Sequence, residues 1–376
     1  MRQVMKKIMA VVAATTLSIS LTACSSTRGD DDASGKSEEG SNPGGLVGVS
    51  MPTKSLERWN RDGAHLKENL ESDGYNVSLQ YADNKVEQQI SQIQNMINED
   101  PDVLVVASID GSALGPVLDQ AKAQGITVFA YDRLILDTES VDYYATFDNY
   151  QVGQLQGQYI ESTLGLDEGE EGPFNFEPFS GSPDDNNARF FFEGAWDVLQ
   201  PYIESGVLEV PSGKDPKSVD DWQSIGIQAW MAPAAQSEME TRLNSFYQDK
   251  KVDAVLAPND ALALGISQAL ESDGYGEDDW PVLTGQDADQ SSVQNIIAGK
   301  QTMTVWKDTR ALGDQVAKMV DQIIRGDEVE VNDTESYDNG EIVVPSYLLT
   351  PIVITEDNVE SELVDSGFYS AEDLGL

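Results

Sequence analysis

The sequence predicts an α/β chain of two doubly wound lobes, each a parallel sheet covered by helices, and three observations lead there. Strand-like and helix-like periods alternate from Leu46 to Ala298. The strand segments include short unbroken apolar runs, as parallel strands buried on both faces require. The chain has 376 residues at 40% hydrophobic content, more than one ordinary domain holds and enough to fill two cores.

The first lobe opens with a strand at Leu46 to Ser50, followed by Leu56, Trp59, Gly63, Leu66 and Leu70 at helical spacing until Gly74 stops the helix. Val77 to Tyr81 reads as strand, Val86, Ile90, Ile93 and Ile97 as one helix face, and Val103 to Ala107 as a buried strand. A helix around Leu114 to Ala121, ended by Gly125, leads to strands at Ile126 to Tyr131 and Tyr143 to Phe147. The second lobe repeats the plan. Val152 to Ile160 is helical, Phe174 to Phe179 a strand, and Phe191, Ala195, Val198 and Tyr202 mark a long helix. Strands at Val207 to Val210, Val252 to Ala257 and Val282 to Thr284 then alternate with helices at Met239 to Phe246, Leu262 to Leu270 and Val293 to Ala298.

At the start, Arg2, Lys6 and Lys7 precede a mostly apolar run from Ile8 to Leu21 that is too short for a comfortable membrane span, so residues 1–24 read as an export signal. It ends in Leu21-Thr22-Ala23-Cys24, which resembles the lipobox of bacterial lipoproteins, with Cys24 as the lipidation site. Cys24 is the only cysteine, so no internal disulfide forms. Residues 25–45 are Ser, Gly, Asp and Glu with almost nothing apolar, a flexible acidic tether. Lys and Arg total 23 against 66 Asp and Glu, a net charge of −43 that repels nucleic acid and anionic lipid.

Doubly wound sheets bind ligands outside the carboxyl ends of their strands. Those ends here read Pro52-Thr53-Lys54, Ser108-Ile109-Asp110, Tyr131-Asp132-Arg133, Asp148-Asn149, Gly181-Ser182-Pro183-Asp184, Asn259-Asp260, Gly285-Gln286-Asp287 and Trp306-Lys307. Planar acids, amides and bases of this kind can each bond two vicinal hydroxyls, and an indole face can stack on sugar C–H, so the set suits a neutral polyol. Opposite charges would pair among themselves when such a cleft closes. Each Asp or Asn taken singly is equally well a turn or N-cap residue. Trp59 and Trp230 are the stacking candidates, though Trp59 also falls on the apolar face of its helix and suits core packing. Catalysis finds little support. The only histidine, His65, is remote from every strand end, and there is no phosphate loop, nucleophile elbow or metal-spaced Cys/His cluster. No cofactor or metal is expected. A glycosidase carboxylate pair, defined in space rather than along the chain, stays open as the enzyme alternative.

Several segments resemble one family: Met51-Pro52-Thr53-Lys54-Ser55-Leu56-Glu57-Arg58-Trp59, Ser91-Gln92-Ile93-Gln94-Asn95-Met96-Ile97, Tyr131-Asp132-Arg133-Leu134-Ile135, Gly181-Ser182-Pro183-Asp184-Asp185-Asn186-Asn187-Ala188, Gly285-Gln286-Asp287-Ala288-Asp289, Lys307-Asp308-Thr309-Arg310 and Val344-Pro345-Ser346-Tyr347-Leu348-Leu349. From Val47 to near the C-terminus the chain is similar to the periplasmic sugar-binding receptors of the xylose-binding and multiple-sugar-binding (ChvE) type. The resemblance implies a type I periplasmic-binding-protein fold, a monomer of two lobes joined by three crossovers that closes on an aldose such as xylose, glucose, galactose or arabinose. By motif, Arg58 and Trp59 lie on the first lobe's rim and Asp132 and Arg133 bind hydroxyls. Asn187 contributes from the second lobe, Asn259, Asp287 and Lys307 complete the ring, and Trp230 is the stacking tryptophan. It further implies a first lobe of residues 46–148 plus 307–340 and a second of 149–306 plus 341–376, with crossovers near Asp148, Met303 to Lys307 and Asn339 to Pro345. The implied role is the substrate-binding lipoprotein of an ABC importer, presenting a monosaccharide to its permease on the outer face of the cytoplasmic membrane. A sugar sensor feeding a signalling kinase is the alternative within the family. Related DNA-binding repressors carry an N-terminal helix-turn-helix where this chain has a signal and tether.

Overall fold

A computed structural model describes residues 44–376. The export signal, Cys24 and nearly all of the tether lie outside the described residues. Strand β1 (Leu46–Met51), helix α1 (Glu57–Ser72), β2 (Asn76–Tyr81), α2 (Val86–Asn98), β3 (Val103–Val106), α3 (Gly115–Ala123), β4 (Thr127–Tyr131) and β5 (Tyr143–Phe147) build the first lobe. Helix α4 (Asn149–Thr163) crosses to the second, which continues through β6 (Phe174–Pro178), α5 (Asn186–Ser205), β7 (Leu208–Glu209), α6 (Ala232–Phe246), β8 (Ala254–Leu256), α7 (Asp260–Ser272), β9 (Val282–Leu283), α8 (Gln290–Ile297) and β10 (Thr304–Trp306). Then α9 (Thr309–Arg325) and β11 (Ser346–Leu349) return to the first lobe, and β12 (Ile352–Ile354) rejoins the second.

The first sheet is parallel, in the order β2-β1-β3-β4-β5-β11. Its central strand β3, Val-Leu-Val-Val, is fully buried because helices cover both faces; α1 and α9 pack on one side through Trp59, Leu66, Leu312 and Val316, and α2 and α3 on the other through Ile93 and Leu118. At roughly 1.5–3 kcal/mol per buried aliphatic side chain, this burial is the main term holding the lobe. The second sheet runs β7-β6-β8-β9, and a parallel bridge from Gln286 to Val305 carries it on to the antiparallel pair β10 and β12.

The assignment of 341–376 wholly to the second lobe is corrected by β11, whose residues pair in parallel with β5 in the first sheet, Ser346 opposite Tyr144. Val344 and Tyr337 likewise sit in the first lobe's core. The third crossover therefore falls at Thr350–Pro351, between β11 and β12, rather than at Asn339 to Pro345. The misplacement has a simple cause: a four-residue edge strand with intermediate burial resembles a surface connection.

Across the crossover, α4 and α5 approach so closely that a Cβ on Gly194 would lie 2.1 Å from the Tyr150 carbonyl oxygen. Only glycine fits, and the tight crossing fixes the start of α5, which carries two residues of the site.

Candidate functional site

The carboxyl ends of both sheets face one small cavity between the lobes, with about 20 Å3 of free internal space among its side chains. Its wall is Leu56, Arg58, Trp59, Asp132, Arg133, Asp185, Asn187, Phe191, Trp230, Asn259, Gln286, Asp287 and Lys307. All nine residues expected from the sequence are in that wall.

Arg58, in the first turn of α1, is the hub. Its Nη2 lies 2.9 Å from Asp132 Oδ2 and 3.0 Å from Asp62 Oδ2, its Nε donates to Asp62 at 3.1 Å, and its Nη1 donates across the cleft to Asp287 Oδ1 at 3.3 Å. Burial alone would lower the Arg58 pKa; Asp132, Asp62 and Asp287 outweigh it and push it well up, so the guanidinium stays charged. Asp62 sits behind the wall with its other oxygen accepting from Tyr131 Oη at 2.7 Å. Burial pushes the Asp62 carboxyl up, against the opposing pull of Arg58.

Asp132 and Asp287 end strands in the two lobes, and each is a non-glycine residue at positive φ, 60° and 96°. Such conformations cost on the order of 1–3 kcal/mol and persist where the surroundings over-determine them. Around Asp132 those surroundings are explicit: its carbonyl accepts from Asn187 Nδ2 at 2.7 Å, Tyr144 Oη at 2.8 Å and Thr146 Oγ1 at 3.0 Å. Asn187 comes from the second lobe, so this bond also crosses the cleft. Asp287 is held by Lys307 Nζ at 3.0 Å as well as by Arg58. Burial works to raise the Asp287 carboxyl, but the charges of Lys307 and Arg58 prevail and lower it.

Arg133 Nη1 donates to the Ser108 carbonyl at 3.0 Å, while its Nε pairs with Asp185 Oδ2 of the second lobe at 2.9 Å. The same oxygen accepts from Trp230 Nε1 at 3.1 Å. Burial pushes the Asp185 carboxyl up despite Arg133. The indole of Trp230 packs against Gly181, where a Cβ would meet the ring at 2.0 Å, with Phe191 edge-on at 6.3 Å. Trp59 serves both readings: it is 1% exposed within the first lobe's core, and it borders the cavity with the guanidiniums of Arg58 and Arg133 over its ring at 4.5 and 5.1 Å.

Asn259 Oδ1 caps α7 by accepting from Leu262 N at 3.0 Å, and Asp185 caps α5 through Asn187 N at 3.0 Å, so capping and cavity roles coincide in both. Gln286 Oε1 is buried with no hydrogen-bond partner among the described residues. Asp185, Gln286, Phe191 and Leu56 were not singled out from the sequence. Asp185 and Gln286 stand inside the segments Gly181 to Ala188 and Gly285 to Asp289, and Phe191 falls in the helical period of α5, which signals a helix and not a site. His65 pairs with Asp314 at 2.7 Å on the surface, away from this wall.

The wall carries three cations, Arg58, Arg133 and Lys307, and three anions, Asp132, Asp185 and Asp287. A balanced, internally paired set asks for no charge on the ligand. Fold and site together define a two-lobed binding protein that encloses a small neutral solute in its cleft.

Residues 47–328 match the family model described as a periplasmic binding protein domain, and the chain belongs to that family. It is 48% identical to the multiple sugar-binding periplasmic receptor ChvE of Rhizobium radiobacter over 88% of this chain and 92% of that one. It is 37% identical to the D-xylose-binding periplasmic protein of Escherichia coli K12 over 87% and 92% of the respective chains. A solved ABC transporter solute binding protein of Clostridium phytofermentans with bound β-D-glucose superposes at a TM-score of 0.84 and 52% identity, covering 88% of this chain and 99% of that one. These relatives are binding proteins and receptors, not enzymes.

Proposed function

We propose that this protein is the solute-binding component of an ABC-type sugar importer and holds a single monosaccharide, an aldose such as xylose, glucose, galactose or arabinose, between its lobes. The observation that carries this reading is the charge-balanced wall: planar groups from both lobes surround one shared cavity, every charge has a partner, and indole and phenyl rings complete the lining. A polyol satisfies such a wall through pairs of hydroxyls; a carboxylate or ammonium ligand would unbalance it. Arg58, Asp132, Arg133, Asn187, Asn259, Asp287 and Lys307 bond the hydroxyls, and Trp230 and Trp59 present apolar surface.

Binding needs no covalent step. The open form admits the sugar, both walls engage it, and the differential contacts of the closed form are what a permease recognises. The similarity to periplasmic receptors supports an extracytoplasmic site of action. Attachment to the outer face of the cytoplasmic membrane through lipidated Cys24, and action as a monomer, complete the proposal. The test is calorimetric titration of purified protein with a panel of aldopentoses and aldohexoses. One-to-one binding of at least one is expected, and heat from none of them would overturn the reading.

A further inference from the structure

A second set of contacts joins the lobes outside the sugar cavity. It centres on the C-terminal segment: Leu363, Tyr369 and Leu374 pack into a core with Val293, Ile296 and Trp306, which fixes the segment to the second lobe. Helix α1, by contrast, belongs to the first lobe's core through Trp59, Leu66 and Leu70. Between them, Arg61 Nη1 donates to Tyr369 Oη at 2.6 Å, and the tyrosine's single hydroxyl proton is within reach of Ala288 O at 2.9 Å and Glu57 Oε1 at 3.1 Å. Arg61 also pairs with Glu57, and its guanidinium covers Phe368 at 4.9 Å and Tyr369 at 5.7 Å. Arg310, in the first turn of α9, repeats the motif, 5.1 Å over Phe368 with Nη1 donating to Ser366 O at 3.1 Å.

We propose that Phe368 and Tyr369 form a clasp on Arg61 and Arg310 that favours the closed state with or without sugar. The clasp thereby sets the intrinsic closing equilibrium on which every ligand draws. The geometry supports this in two ways. Tyr369 is 8% exposed, and its hydroxyl, held at home by Ala288 O, also reaches Arg61 and Glu57 of the first lobe, so opening would strip those two contacts and hydrate the ring. Further, none of Glu57, Arg61, Arg310, Phe368 and Tyr369 lines the cavity, so the clasp touches no hydroxyl of a bound sugar. A contact of that kind changes the fraction of molecules able to close, which scales all affinities by one factor and leaves their order alone. Tyr369 is thus a positioning residue for closure rather than a ligand-binding one.

The inference rests on the sugar-binding reading for its affinity measurement, but not for its shape measurement. Tyr369→Phe keeps the ring and its packing and removes only the hydroxyl, so the fold is retained. Calorimetry with the sugar panel is expected to show every dissociation constant raised by a common factor of about ten, the loss of one charge-assisted hydrogen bond. Small-angle scattering of the sugar-free variant is expected to give a larger radius of gyration than the sugar-free parent, with equal radii once both are saturated. Unchanged affinities, a change confined to some sugars, or equal sugar-free radii would each overturn the clasp. If the parent binds no sugar at all, the function proposed above fails instead, and the two sugar-free radii still decide the clasp.

Discussion

Two buried arginines show how similar chemistry serves different ends. Arg242, in α6, is 1% exposed and donates to Glu177 Oε2 at 2.9 Å, to the Pro178 carbonyl at 2.8 Å and to Glu238 Oε1 at 3.0 Å, with its guanidinium 3.9 Å over Phe179. Glu177 is fully buried and also accepts from Tyr247 Oη at 2.7 Å and Ser212 Oγ at 2.6 Å. Arg58 is 5% exposed and equally surrounded by carboxylates. The difference lies in where the partners come from. All of those around Arg242 belong to the second lobe, whereas Arg58 reaches Asp62 and Asp132 in its own lobe and Asp287 in the other. A buried ion cluster within one lobe is structure; one divided by a cleft, with a cavity beside it, can be rearranged by a ligand. Burial and pairing therefore do not mark a site by themselves; partition between the lobes beside a cavity does.

The strongest way to break that comparison is to remove each arginine. Arg242→Met strands Glu177 and should lower unfolding free energy by about 3–5 kcal/mol in denaturant titration, with sugar affinity intact in the remaining folded protein. Arg58→Ala removes charge-assisted bonds of about 1.5–3 kcal/mol each and should weaken calorimetric sugar affinity at least about a hundredfold. If Arg242→Met alters affinity as much as Arg58→Ala does, the distinction between the two clusters is void.

The same contrast explains how much could be read from the residues alone. The alternating strands and helices were legible because their periods differ and the parallel strands are wholly apolar, and the strand-end rule then pointed to Asp132, Asp287 and Lys307. Asp62 was not legible: one turn after Arg58 it reads as a surface residue of an amphipathic helix, and only the tertiary approach of Tyr131 makes it a buried support. The clasp at Tyr369 was hidden for a similar reason, since an aromatic pair near a C-terminus carries no periodic signal of what it touches. β11 was misassigned because edge strands are short and half-polar, whereas β3 could not be mistaken.

An intermediate effect is expected where a neutral contact supports the charged wall. Trp230→Ala removes a ring from the cavity and the donor to Asp185, and should weaken sugar binding about tenfold. Gly181→Ala tests the same ring without touching it chemically, because its Cβ would meet the indole at 2.0 Å. The clash must displace Trp230, so calorimetry should show a loss similar to that of Trp230→Ala, and combining the two should add little. A full-strength Gly181→Ala variant would mean that the indole's placement is unimportant.

The smallest effect concerns Asp289, beside the cleft but outside the cavity wall. Burial, with the charge of Asp287 added, pushes its carboxyl up to about 7 against the opposing pull of Arg61. Glu57, Arg58 and Asp260 are the other charged groups around it, and Asp260, whose Oδ2 accepts from Asp289 N at 2.8 Å, is raised by its own burial and by the charge of Asp289. Because the folded-state value is higher than the ordinary carboxylate range, the folded protein keeps a proton that the unfolded chain has released between about pH 4 and 7. Stability must then fall as pH rises through that window and level off above it. Asp287, whose carboxyl is lowered, gives the opposite slope, but at more acid pH. Asp289→Asn removes one titrating group and leaves Asp260, so denaturation midpoints measured from pH 5 to 8 should decline less steeply than in the parent without becoming flat. An unaltered slope would show that Asp289 is ionised throughout, held by Arg61 more firmly than its buried position suggests.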